Sequence, residues 1–362
     1  MASSTTQWQM GYDVLDWGSK GCRFVMGERR RESTLEAILA VPGNQAVYDR
    51  LKTLLRDGSA MAFVGAGASF PLYPLWGQLI AQLAHEPVRH GLAFEADEQH
   101  WLRTAGSKPL QVASQIRARL RDPLYHTFLF ETFKDRTGPG GRAYTPAHAA
   151  LMRSNFKAYL TTNYDPGLLE VRRHLRPEIR DTGFTVWNQN FAVNRWASSD
   201  LFKTGAQCPV LFAHGHFADP AGIVLDHGSY RQAYHNTPYR GLFENLWFQE
   251  RLVFVGFSFN DVTLTQIADE VLWQTARQGG GEPRHMAVIG LPDDQPYTPE
   301  MRREYLEGYD AEVLLYPVTG TGHSALQAVL ESLATLEVPS PATLPPTPWR
   351  GWTAGPPTPA SA

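Results

Sequence analysis

Cysteine is almost missing from this sequence: 362 residues hold only Cys22 and Cys208. Two thiols cannot build a four-thiolate zinc module, and they give no disulfide framework. The expectation is a reduced, cytoplasmic setting and no metal. Long apolar runs are missing too. No stretch reaches the ~18 apolar residues that suggest a membrane span. The opening MASSTTQWQMGYD lacks the basic stretch and apolar core of a secretory signal. Nor does charge of one sign dominate: 33 Lys and Arg stand against 36 Asp and Glu, a net of -3. Apart from Arg29, Arg30 and Arg31 no basic run stands out, so the chain advertises no nucleic-acid surface. What it does have is 43% hydrophobic and 12% aromatic residues. That is enough for a substantial core in one large domain or two moderate ones.

Hydrophobic periodicity organises the chain from about residue 45 onward. Val47, Leu51, Leu54 and Leu55 recur at helical spacing, with Gly58 as the stop. Residues 61–64 then read as a short buried strand, and 75–83 as a helix. Residues 111–121 and 123–133 read as two further helices, and 146–153 as a short one capped by Thr145. Strands are expected at 156–160, 210–213, 222–225, 252–255, 286–289 and 312–316. Helices at 241–249, 262–274, 299–305 and 324–336 fall between most of them. Apolar strands alternating with amphipathic helices predict an α/β fold with a doubly wound, Rossmann-like parallel sheet. The long helical interval at about 85–150 reads as an insertion. The expected organisation is an N-terminal segment of unknown structure (1–45), a main domain (46–337) and a Pro-rich disordered tail (338–362).

Small and hydrogen-bonding residues gather where the strands should end. The 61–64 strand runs into Gly65-Ala66-Gly67-Ala68-Ser69. The 156–160 strand delivers Thr161-Thr162-Asn163-Tyr164-Asp165, and 210–213 delivers His214-Gly215-His216. The 252–255 strand precedes Gly256-Phe257-Ser258, with Asp261 beyond, and the last strand leads to Gly322-His323-Ser324. Each segment alone is ordinary turn chemistry. Five in series form one rim in a doubly wound sheet, where such sheets bind ligands. A glycine-rich turn lets backbone amides approach a phosphate, although Phe70 replaces the third glycine of G-x-G-x-x-G. A second reading notes His214, His216, Asp226 and His227 within fourteen residues, a spacing that could hold zinc or manganese. A third is a nucleotide-sensing module or scaffold without catalysis.

In this order, GAGAS, TTNYD, His214-Gly215 and Gly256-Phe257-Ser258 resemble the sirtuin-like NAD-binding domain over roughly residues 45–336. The TTNYD form, the FVGFSFND segment and the late GHSAL look most like the bacterial branch found in antiphage defence. That resemblance implies NAD as substrate and cleavage of its nicotinamide–ribose bond. It assigns Asn163, Asp165 and His214 to catalysis. Gly65, Ala66, Gly67, Ser69, Thr162, Gly256, Ser258 and His323 would then bind the nucleotide. Histidine suits a general base at cytoplasmic pH, its ordinary pKa lying near ~6.5.

The departures narrow the activity. Protein-deacylating sirtuins carry a four-cysteine zinc module and an arginine-bearing loop after GAG. Here that loop reads Pro71-Leu72-Tyr73-Pro74-Leu75-Trp76-Gly77. Hydrolysis of NAD is therefore expected, ahead of NAD-dependent ADP-ribosyl transfer or deacylation of lysine. The resemblance further implies a homo-oligomer and a partner that triggers it, a HerA-like ATPase or alternatively a short Argonaute.

Overall fold

In the computed structural model, seven strands run parallel in one sheet ordered β3-β4-β2-β1-β5-β6-β7. The structure describes residues 35–134, 136–179, 184–198, 208–259, 265, 267–270, 283–292, 297–318 and 322–334. The strands are β1 (Ala60–Val64), β2 (Ala158–Thr161), β3 (Thr185–Val186), β4 (Val210–Phe212), β5 (Arg251–Val255), β6 (His285–Pro292) and β7 (Ala311–Val318). After β1 the chain builds outward through β2, β3 and β4, then returns to lay β5 on the other flank of β1. The order reverses between β1 and β5, so the crevice beyond their carboxyl ends is the topological switch point. The α/β, doubly wound parallel architecture expected from the sequence is present.

Alternate residues of each strand feed two cores. From β1, Ala60, Ala62 and Val64 enter one, and Met61 and Phe63 the other. The first core is covered by α2 (Asn44–Arg56), α7 (Pro146–Arg153), α8 (Gly167–Leu175) and α13 (Ser324–Leu333), with α1 (Leu35–Leu39) beside them. The second is covered by α9 (Asn190–Ala197), α10 (His227–Tyr234) and α11 (Thr237–Gln249). Burial on both faces is why the strands read as continuous apolar runs, each large side chain contributing about 1.5–3 kcal/mol.

The helices between β1 and β2 divide. After the one-turn α3 (Ala66–Ser69), α4 (Trp76–Arg89), α5 (Glu95–Ala105) and α6 (Pro109–Phe133) build a third core of their own. The two helices expected within α6 abut at Arg121, whose φ of 62° breaks the helical path just before Pro123. The following α7 instead packs against α8 and α13 on the sheet. Its N-cap is Thr145, as expected, whose hydroxyl accepts the His148 N–H.

One expected strand is absent. Residues 222–225 are no strand: Gly222 closes a 3-10 turn, and Ile223 and Leu225 insert into the core of α4–α6. Their apolar pattern reflects burial beneath the insertion rather than pairing in the sheet. Helices α1, α5, α9 and α10, and the short β3, were not legible from periodicity. Helix α12 (Pro299–Tyr309) runs four residues past its expected end. The expected Pro-rich tail and most of the 262–274 helix lie outside the described residues.

Candidate functional site

The β1 loop is shaped by a near-collision of backbones. The Gly65 amide donates to Val255 O and the Gly67 amide to Gly256 O, each at 2.9 Å. A Cβ on Gly65 would lie 2.5 Å from Gly256 O, and one on Gly256 2.5 Å from the Ala68 nitrogen. Gly256 also has a φ of +62°, where side chains are strained. The glycines of GAGAS and GFS therefore let β1 and β5 close the switch point. Two of the amides expected to cradle a phosphate are engaged inside the protein, and Ala66 stands half-buried between them.

Ser69 does not face outward either. Its hydroxyl donates to Asp165 Oδ2 at 2.7 Å and accepts from Asn163 Nδ2 at 2.9 Å. Asp165 Oδ1 meanwhile accepts the Gly167 N–H at 2.9 Å, bracing the start of α8. Thr161 Oγ1 donates to Val64 O and accepts the Asn163 N–H, which stitches the ends of β1 and β2 together. The structure thus joins Ser69, Asn163 and Asp165 in one buried cluster.

Sequence reading missed a fourth member. His148, on the first turn of α7, is fully buried with Nε2 3.3 Å from Ser69 Oγ. Its Nδ1 accepts the Thr145 N–H at 3.2 Å, while the Thr145 hydroxyl donates to Ala68 O at 2.6 Å. Burial pushes the His148 pKa below its ordinary 6.5, and the nearby Asp165 opposes that shift. The sequence did hold the signal: in T-P-x-H the histidine occupies N3 of a capping box.

His214 follows β4, buried, with Nε2 3.0 Å from the Tyr234 hydroxyl and its ring edge-on to Tyr230. Its carbonyl accepts the Val224 N–H, and the neighbouring Phe217 N–H donates to Tyr164 O. The HGH and TTNYD loops are therefore tied by backbone bonds. Gly215 has a φ of +90°, and a Cβ there would collide with the Gly222 carbonyl. His216 occupies a different pocket, among Phe184, Phe212 and Phe217, and burial lowers its pKa to about 4.

The remaining candidates are spread along the rim. Thr162 is half-buried and Ser258 exposed. His323 Nδ1 lies 2.8 Å from the Tyr316 hydroxyl, and its ring meets Phe70, the residue after GAGAS, edge-on at 6.0 Å. Asp261 lies outside the described residues. The histidine cluster weighed as a metal site diverges. Asp226 caps α10 and pairs with Arg117, while His214 and His216 turn into separate aromatic surroundings. Among the described residues, no group of three or more His, Cys, Asp or Glu is arranged to hold a metal.

Residues 157–314 match the SIR2-like domain family. The match makes this stretch, less than half of the chain, similar to SIR2-like domains, a family tied to NAD. Its SIR2-like region takes in TTNYD, His214 and Gly256, while the GAGAS loop lies before it. No curated protein matches the chain. No helix among the described residues is long and apolar enough to cross a membrane.

Proposed function

We propose that this chain hydrolyses NAD+ at the nicotinamide–ribose bond, yielding nicotinamide and ADP-ribose. The observation that carries the reading is the convergence of Asn163 and Asp165 on Ser69 at the carboxyl ends of β1 and β2. In the reaction the C1′–N bond breaks and its electron pair returns to the nicotinamide ring nitrogen. Water adds to the oxocarbenium-like C1′ and gives a proton to a base. The Asn163 amide holds a ribose hydroxyl or that water. Asp165 keeps unused lone pairs for the nicotinamide carboxamide N–H groups, since a carboxylate accepts about four bonds. His214 is the base, oriented through Tyr234. The glycine turns, Thr162, Ser258 and His323 line the rim along which the rest of the nucleotide would lie.

The biological role we propose is depletion of NAD as the effector of an antiphage system. Unchecked turnover would kill the producing cell, so the reading includes a trigger. Either a homo-oligomer forms or a HerA-like ATPase (alternatively a short Argonaute) engages the chain. The test is incubation of the full chain with NAD, with and without that ATPase and an acetylated peptide, following nicotinamide and ADP-ribose. Asn163→Ala and His214→Ala should each lose roughly 10²–10⁴ in rate with the fold retained. Wild-type turnover by both variants refutes the site. Peptide-dependent O-acetyl-ADP-ribose makes the chain a deacylase, and tight NAD binding without turnover makes it a sensing module.

A further inference from the structure

The most deeply buried ionisable side chain at this rim is His148, which the chemistry above does not use. Its surroundings fix where its proton sits. The Nδ1 atom receives the Thr145 N–H and so carries a lone pair. The Thr145 hydroxyl has one proton, already given to Ala68 O, so its 3.2 Å approach to Nδ1 is no second donation. A neutral ring must then carry its single proton on Nε2, directed at Ser69 Oγ. A hydroxyl offers one proton and two lone pairs. Ser69 gives its proton to Asp165 and takes N–H donors from His148 and Asn163, so all three positions are filled.

We propose that His148 is a positioning residue for the NAD site, acting through Ser69. It locks the Ser69 proton onto Asp165 and leaves Ser69 an acceptor for Asn163. The Asn163 nitrogen is thereby engaged within the protein. Among the described residues no donor meets its Oδ1, which remains for a ligand hydroxyl or water. In the opposite tautomer His148 would draw the Ser69 proton to Nε2, leaving two bare acceptors, Ser69 Oγ and Asp165 Oδ2, 2.7 Å apart. Space also enforces the arrangement, because a Cβ on Gly167 would strike the imidazole.

The inference rests on the proposed NAD reading for its consequence, but its core is tested without NAD. On the full chain labelled with 15N, His148 should appear at pH 7 as a neutral ring protonated on Nε2, perturbed by Ser69→Ala. The Asn163 side-chain amide protons should exchange slowly in the wild type and quickly in His148→Leu. A charged ring, a proton on Nδ1, or Asn163 exchange indifferent to His148 overturns the proposal. Kinetics supply a second arm. The amide nitrogen of His148→Gln can replace the Nε2 donor, so that variant should keep kcat within about threefold. His148→Leu should lose about tenfold in kcat, the loss of one buried hydrogen bond. Its KM for NAD should stay within twofold and its melting temperature near that of the glutamine variant. Equal losses in both variants, or losses that follow melting temperature, reduce His148 to a packing residue. If the wild type neither binds nor cleaves NAD, the functional reading fails while the 15N and exchange results still decide this one.

Discussion

Gly256→Ala tests how closely the switch point depends on backbone contact. Gly256 sits at φ +62°, where an alanine costs about 1–2 kcal/mol. The new Cβ would lie 2.5 Å from the Ala68 nitrogen and 2.9 Å from the Gly67 carbonyl carbon. Those neighbours are backbone atoms in a fixed turn, so they must shift, and such overpacking costs a further ~1–3 kcal/mol. A total of about 2–5 kcal/mol corresponds to a melting temperature lower by roughly 5–15 °C. Gly91→Ala is the control. It has φ +67° but nothing within 4 Å of a Cβ, so it bears the conformational cost alone. Urea and thermal unfolding of both variants against the wild type separate strain from collision. If Gly256→Ala melts no lower than Gly91→Ala, the contact between the GAGAS and GFS turns is not the constraint inferred here.

Two further predictions concern charge. His216 and His285 are buried, with pKa values lowered from 6.5 to about 4 and about 3, mainly by loss of solvation. The unfolded chain binds their protons more readily, so neither costs stability above pH ~6.5 and both oppose folding as pH falls below it. Each should remove about 1.4 kcal/mol per pH unit, measured by urea unfolding at pH 7, 6 and 5. His216→Phe should flatten that slope by its share, and an unchanged slope refutes the assignment. Arg117 bonds to Asp226 and Asp122, each at 2.8 Å, but the Asp226 side chain is 6% exposed and that of Asp122 60%. Arg117→Met should cost about 1–3 kcal/mol and Asp122→Asn under ~1. Equal losses would mean that burial does not set the worth of this link between α6 and α10.

Local pattern and tertiary context contributed differently. Strands β1, β2, β4, β5, β6 and β7 were legible because a parallel sheet buried on both faces demands unbroken apolar runs. The Thr145 cap and the Gly58 stop were legible because capping and positive φ act within a few residues. Residues 222–225 carry the same apolar signal as a strand, and only the packing of α4–α6 over them decides otherwise. Helix α10 escaped periodicity, although its Asp226 cap and Ser229 at N3 are a local signature.

The sequence by itself determined the alternation of strands and helices, and the small and polar residues at strand ends. Those properties follow from side-chain periodicity and turn chemistry. Only the tertiary structure decided that Ser69 turns inward to bind Asn163 and Asp165, and that His148 lies behind it. Those residues come from three separate stretches of the chain, the outermost, Ser69 and Asp165, 96 positions apart by difference of their numbers. Hydrogen-bond direction in a buried cluster depends on every donor and acceptor around it. Such a set exists only once β1, β2 and α7 are brought together.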